Sequence, residues 1–181
     1  TPLWLVYLTL SYTDETDDLS ILREPVKFLD GPARPLFEHC TRSFTRVLSR
    51  MSKRGLPLIL HGDWNDGLSA VGPMGKGESV WMGHFLYGVL LRWADLCGRI
   101  RATGRVRISG LTPSTLATTA RRYRARAKAV KRAINRHGWD GQWYWCASRD
   151  DGRLLGSKTN AEGRIHLNIQ TWAVIAGTAT P

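Results

Sequence analysis

Covalent cross-links and membrane anchoring find little material in this chain. It has three cysteines in 181 residues, Cys40, Cys97 and Cys146, scattered and without metal-ligand spacing. An odd, dispersed set of thiols speaks against a disulfide framework and suits a reducing compartment, so a cytoplasmic location is expected. No apolar run approaches the roughly 18–20 residues a membrane-spanning helix needs. The opening Leu3-Trp4-Leu5-Val6-Tyr7-Leu8-Thr9-Leu10 is too short for that. With no basic flank ahead of it, it reads as a buried helix or strand and not as a secretory leader. No internal repeat or low-complexity tract is present. Acidic residues are few, 15 against 26 Lys and Arg, which leaves a net charge of +11. The chain begins at Thr1 without an initiator Met and stops at Pro181 after an apolar stretch. Both ends read as cuts in a longer protein.

The positive charge is unevenly placed. It crowds between Arg99 and Arg136, with Arg121, Arg122, Arg124, Arg126, Lys128, Lys131, Arg132 and Arg136 in one stretch. Such a block suits nucleic acid or an anionic surface. Few aromatics interleave with it as stacking platforms, so a solvated helix face is the plainer reading. A basic helical module that binds nucleic acid stays open as the alternative.

Helical patterning dominates. Residues 3–12 form an apolar element, and Asp17 or Asp18 suits a cap for the next helical turn. Leu19, Leu22, Val26 and Leu29 recur at helical spacing, interrupted by Pro25. Asp30-Gly31-Pro32 is a turn. Phe37, Cys40, Phe44, Val47, Leu48 and Met51 mark one face of a helix over 36–51. Gly55-Leu56-Pro57 breaks it. A second long helix is predicted over 80–100, with Glu78 and Ser79 at its start, where a negative charge and a capping hydroxyl suit the dipole. After a linker at 104–114, a basic helix over 115–136 carries Leu116, Ala120, Tyr123, Ala127, Val130 and Ile134 as its apolar stripe. Trp143-Tyr144-Trp145 and Arg153-Leu154-Leu155 flank Asp151-Gly152 and predict a β-hairpin near 143–155. A last helix is expected over 167–176. The fold class is all-α, built of helical hairpins with loops at one end.

One string carries more chemistry than the rest: His61-Gly62-Asp63-Trp64-Asn65-Asp66-Gly67, followed by Gly75-Lys76-Gly77-Glu78-Ser79-Val80-Trp81. It sets two carboxylates around an indole on a glycine-flanked turn. A glycosidic bond breaks when an acid protonates the leaving oxygen while a nucleophile attacks the anomeric carbon. Hydrolases usually use two carboxyl groups for this. A phosphorylase needs one, because inorganic phosphate is itself the nucleophile. An acid working near neutral pH needs a raised pKa, which an apolar ring and a neighbouring carboxylate both favour. Trp64 supplies the ring and Asp63 the neighbour, and an indole face also stacks on pyranose C–H groups. The competing reading is an Asp-Asn-Gly turn whose carboxylates bond local backbone amides. His61 has no second His at ligand spacing, so a metal site is not expected. Gly72-Pro73-Met74-Gly75-Lys76-Gly77 does not match a phosphate loop, although a local anion contact by Lys76 stays open. Trp139, Trp143, Tyr144 and Trp145 suit either sugar stacking or a core, and Gln170 and Trp172 are candidates to line a cleft.

At these residues the chain resembles glycoside hydrolase family 94, the cellobiose, chitobiose, cellobionic-acid and related β-glucan phosphorylases, together with the phosphorylase domain of cyclic β-1,2-glucan synthases. Three stretches carry the resemblance, in the family's order and over nearly the whole chain. The first is the Asp63–Asp66 turn with Gly75-Lys76-Gly77-Glu78-Ser79-Val80-Trp81. The second is Gly138-Trp139-Asp140-Gly141-Gln142-Trp143-Tyr144 with Asp150-Asp151-Gly152 and Leu155-Gly156-Ser157. The third is Glu162-Gly163-Arg164-Ile165 with Asn168 and Gln170-Thr171-Trp172-Ala173-Val174.

The resemblance implies that residues 1–181 are part of an (α/α)6 barrel, the catalytic domain of a larger chain. It implies inverting phosphorolysis of a β-glucoside to α-glucose 1-phosphate. Asp66 matches the general acid and Trp64 a wall of the donor glucosyl subsite, with Asp63 and Asn65 shaping the turn and Gln170 as a further substrate contact. The partners implied are a β-glucoside and inorganic phosphate as co-substrate, with no other cofactor and no membrane, and a homodimer in the complete enzyme. The family's upstream Gly-Phe/Tyr-Arg-Asp clamp and its downstream phosphate-gripping histidine are absent from the chain, so an incomplete site with little turnover alone is expected. Two other readings stand beside this one: the nucleic-acid-binding module, and a phosphate-independent glycosidase in which Glu78 or Asp140 serves as second carboxylate.

Overall fold

Five α-helices and two short antiparallel ladders make up the computed structural model, which describes residues 1–180, the side chain of Asp66 excepted. The residues fall into two compact units. One comprises residues 2–46 and 89–125, and the other residues 47–88 and 126–180 with Thr1.

In the first of these, the helical unit, α1 (Leu3–Thr16) buries Leu3, Val6 and Leu10. Asp18 caps the next turn by accepting a hydrogen bond from the Ser20 N–H at 2.9 Å. The helical spacing that runs on to Leu29 is not realised. A tight 3-10 turn, Leu19–Arg23, ends at Glu24, and Pro25 opens strand β1 (Pro25–Lys27). Proline has no N–H to donate and drives the residue before it out of the helical region. Val26 and Leu29 are accordingly exposed. β1 pairs antiparallel with β2 (Ala33–Pro35) around the Asp30–Pro32 turn.

Helix α2 (Leu36–Leu48) comes next, one turn shorter than its apolar pattern. Its buried face meets helix α3 (Val80–Thr103), whose residues from Val89 onward belong to this unit, through Phe37 and Phe44 against Trp93, with ring centroids 5.0 and 5.8 Å apart. Phe44 also touches Tyr123 of helix α4 (Pro113–Ala133) at 4.8 Å. Proline at the first position of α4 leaves no helical donor unused. The stripe from Leu116 to Ile134 is buried as its spacing requires. On α3, α4 and the segment between them, four arginines of this unit end on carboxylates: Arg92 and Arg99 on Asp14, Arg99 and Arg105 on Asp17, and Arg124 on Asp95, at 2.7–3.0 Å.

The second unit is more irregular. Met51 bridges to Pro57 and Leu58 to Glu78, and the segment between Ile59 and Gly77 is loop around one 3-10 turn, Asp66–Leu68. Past α4 the backbone widens into a single π turn, Ile134–Gly138. The hairpin sits later than its flanking aromatics suggest. β3 is Ala147–Ser148 and pairs with β4, Leu154–Leu155. Trp143, Tyr144 and Trp145 stay out of the ladder because their N–H groups go elsewhere, to Asp140, to Gln170 and to the Gly138 carbonyl. Helix α5 (Leu167–Ile175) closes the unit, with Ile169 and Ala173 buried. No helix is long and apolar enough to cross a membrane among the described residues.

Candidate active site

The glycine-flanked turn is held by a chain of side-chain hydrogen bonds that begins at α3 and ends at α5. Ser79 caps α3, its hydroxyl accepting from the Met82 N–H at 2.9 Å. The same hydroxyl donates to Oδ2 of Asp63 in a very short bond. Asp63 Oδ1 accepts from both the backbone N–H and the side-chain amide of Asn65, at 2.8 and 3.0 Å. Asn65 Oδ1 in turn accepts from Asn168 Nδ2 at 2.9 Å. Asp63 thus works as an acceptor that locks the turn, and the turn rests on the first turns of two helices.

Asp66 begins the 3-10 turn directly after Asn65. Its side chain, to which the general-acid expectation attaches, lies outside the described residues. Trp64 lies within this turn and is 50% exposed. Its ring lies near-parallel to Trp81, centroids 6.2 Å apart, and Trp81 meets Trp172 edge-on at 5.8 Å. The indole is therefore backed by the buried ring of Trp81.

The loop after the turn is fastened from the hairpin. Asp150 accepts three backbone N–H bonds, from Met74, Lys76 and Gly77, at 2.8, 2.8 and 2.9 Å. Burial works to raise its pKa, but the three donors outweigh it and hold the carboxyl below the usual range. The anion contact in this loop is thus an internal carboxylate reached by the backbone of Lys76. Gly77 has no room for a side chain, since a Cβ there would stand 2.6 Å from the Ser148 carbonyl.

The two carboxylates considered as a second catalytic group are both engaged. Glu78 is 3% exposed and holds Arg54, whose Nε donates to Oε1 at 3.1 Å. Asp140 accepts from the N–H groups of Gln142, Trp143 and Lys158 and from the Ser157 hydroxyl, at 2.7–3.2 Å. Burial pushes its pKa up, and these donors bring it below normal. Both carboxylates are structural acceptors.

Gln170 sits apart from the turn. Asn168 and Trp172 share one face of α5, toward Asn65 and Trp81, and Gln170 lies about 200° round from Asn168. Its side chain grips the backbone of Tyr144, accepting from N–H at 3.1 Å and donating to the carbonyl at 2.7 Å. There it lines a hollow of about 620 Å³ with Trp139, Trp143 and Tyr144. The aromatic cluster divides accordingly. Tyr144 and Trp145 are core, and Trp139 is 46% exposed.

Residue spacing assigned Asn168 no role of its own, and its place at the start of an apolar helix was the available signal. The tie of Asp150 to the glycine loop spans more than 70 residues and has no local signature. His61 is exposed, and no group of His, Cys, Asp or Glu among the described residues is placed to hold a metal. The three thiols are buried and form no disulfide, and burial pushes Cys40 up to about 11 and Cys97 and Cys146 up to about 12, which disfavours the thiolate.

Comparison with known proteins gives a consistent picture. The model of the glycosyl hydrolase 94 superfamily catalytic domain matches residues 1–181. The solabiose phosphorylase of Paenibacillus borealis is 38% identical over 178 residues, covering 98% of this chain and 22% of that protein. The cellobionic acid phosphorylase of Neurospora crassa is 35% identical over 178 residues, covering 98% and 21%. The cyclic beta-(1,2)-glucan synthase NdvB of Rhizobium meliloti (strain 1021) is 33% identical over 192 residues, covering 96% and 6%. The chain thus spans about a fifth of the length of the two phosphorylases.

Proposed function

The chain belongs to the glycosyl hydrolase 94 superfamily, and from that premise we propose that it is the acid-bearing stretch of an inverting β-glucoside phosphorylase, within an (α/α)6 catalytic domain. Asp66 is the general acid. It gives its proton to the glycosidic oxygen as that oxygen leaves the anomeric carbon. An oxygen of inorganic phosphate forms the new bond from the opposite face, so the β-glucoside becomes α-glucose 1-phosphate and the proton departs with the released alcohol. Trp64 offers the apolar face against which the pyranose ring sits. Asp63 and Asn65 hold the turn, and so keep acid and platform in fixed relation. Gln170 reaches a sugar only in the aromatic hollow on its own side of α5, where Trp139 and Trp143 offer further stacking faces.

The observation that carries this reading is the relay Ser79–Asp63–Asn65–Asn168, which fixes a turn that carries a half-exposed indole. Pre-set geometry is what proton transfer to a leaving oxygen demands. The glycosidase alternative is weakened because Glu78 and Asp140 already have structural partners. In the complete enzyme, Asp66→Asn keeps the fold and lowers phosphorolysis by roughly 10²–10⁴-fold, the usual contribution of a general acid. Unchanged turnover in that variant removes Asp66 from the mechanism.

A further inference from the structure

One end of α4 carries cations that meet no carboxylate among the described residues. Lys53, Arg54, Arg132, Arg136 and His137 line a shallow hollow of about 700 Å³, floored by Gly55, Ala129 and Ala133. No acidic residue lines it. Arg54 is committed to Glu78. Among the described residues, no carboxylate pairs with Lys53, Arg132 or Arg136, all three of them exposed. Elsewhere in the basic block Arg99, Arg105 and Arg124 each meet an aspartate, while Arg121 and Arg122 meet no carboxylate among the described residues. What sets the hollow apart is that Lys53 and Arg54, from another segment, join Arg132 and Arg136 around one concavity.

The backbone around the hollow is fixed by several hydrogen bonds. The Ser52–Gly55 turn closes through Gly55 N–H to the Ser52 carbonyl at 3.0 Å, and the Ser52 hydroxyl accepts from the N–H groups of Arg54 and Leu56 at 3.1 and 3.3 Å. Gly55, at φ +81°, lies so close to α4 that an added Cβ would stand 3.3 Å from Cβ of Ala133. The His137 carbonyl is fixed by the Trp145 indole N–H at 2.8 Å. A helix C-terminus attracts cations, which accounts for Arg132 in the last turn of α4. It does not account for Lys53, which a different segment brings to the same place.

We propose that this hollow is a binding site for a compact anion bearing several phosphate groups, distinct from the turn that carries Asp66. Guanidinium forks match phosphate oxygens in a bidentate way, and an ammonium adds a point charge. A concave site with small residues on its floor takes a small molecule better than the rod of a duplex. It has no aromatic side chain on which a single-stranded base stacks, apart from the His137 ring at its edge.

The test is calorimetric titration of the chain with inorganic tripolyphosphate at low salt, with a short DNA duplex as comparison. One saturable site is expected. Arg132→Gln with Arg136→Gln weakens it by roughly tenfold or more, since two charge-assisted contacts are lost. Arg121→Gln with Arg122→Gln removes the same charge elsewhere on α4 and changes affinity by less than about twofold, as screening dictates. Asp66→Asn leaves the binding intact, so this site and the phosphorolysis reading fail separately. The proposal is overturned by the absence of saturable tripolyphosphate binding, by equal losses in the two double variants, or by duplex binding that is tighter than tripolyphosphate binding.

Discussion

In the helical unit, charge lies on the surface and the interior is mainly aromatic and aliphatic. Its buried polar groups are the hydroxyls of Thr9, Thr13 and Ser43, each bonded to a carbonyl of its own helix. Asp14, Asp17 and Asp95 take up Arg92, Arg99, Arg105 and Arg124, and Trp93 packs against Phe37 and Phe44. In the unit that carries the Trp64 turn, polar groups are buried and each has a specific task. Glu78 anchors Arg54, Ser79 both caps α3 and grips Asp63, and His84, fully buried, meets Thr178 through Nδ1 at 2.5 Å. The difference teaches where each unit is vulnerable. Exposed ion pairs contribute little, whereas a buried polar group left without its partner costs its full desolvation.

Four substitutions or conditions sharpen that contrast, and chemical denaturation of the chain reads each of them. Trp93→Ala empties the middle of the helical unit and is expected to cost about 3–5 kcal/mol, the range for removing a large core aromatic. Arg54→Ala leaves the Glu78 carboxylate buried and unpaired. About 3 kcal/mol is expected, the low end for breaking a buried pair, because Arg54 is itself half exposed. A loss as small as that of a surface pair would erase the distinction between the units.

Acid acts on the same unit through His84. Burial holds its pKa down to about 3, against about 6.5 for a free imidazole. Between those values the unfolded chain binds the proton and the native chain does not. The stability held by neutral His84 is therefore complete above about pH 6.5 and falls as pH drops toward about 3, by up to about 1.4 kcal/mol per pH unit. His84→Gln flattens that limb of the pH–stability curve; an unaltered slope in the variant rules His84 out as its source. The smallest effect belongs to the helical unit. Asp14→Ala, which removes one surface carboxylate from Arg92 and from Arg99 while Arg99 keeps Asp17, changes stability by less than about 1 kcal/mol.

The same contrast explains what could be read before any coordinates. Helices α2, α3 and α4 were legible from the spacing of their apolar residues, whereas the opening segment that forms α1 read equally as helix or strand, and α5, expected from its apolar composition, buries only Ile169 and Ala173. The apolar pattern over-extended at Leu19–Leu29 because Pro25 decides the backbone there, and the pattern does not carry that information. It also placed the hairpin too early, because the N–H groups of Tyr144 and Trp145 are claimed by Gln170 and Gly138. The Asp63–Asn65 turn was visible as a motif, and its Asx-type bonds were the competing reading. The two turned out to be compatible, since Asp63 locks the turn that presents Trp64. What joins that turn to the rest was not legible. Asn65 and Asn168 are 103 residues apart, and Arg54 and Glu78 are 24 apart. Such pairings depend on how helices return past one another, which residue spacing does not encode.

The measurement closest to the central claim is made on the complete enzyme with a β-glucoside substrate, tracking products by NMR as inorganic phosphate is varied. Cleavage that requires phosphate and yields α-glucose 1-phosphate is the predicted result. Free glucose formed at a rate indifferent to phosphate would contradict it and would return the turn to a hydrolase with a second carboxylate elsewhere.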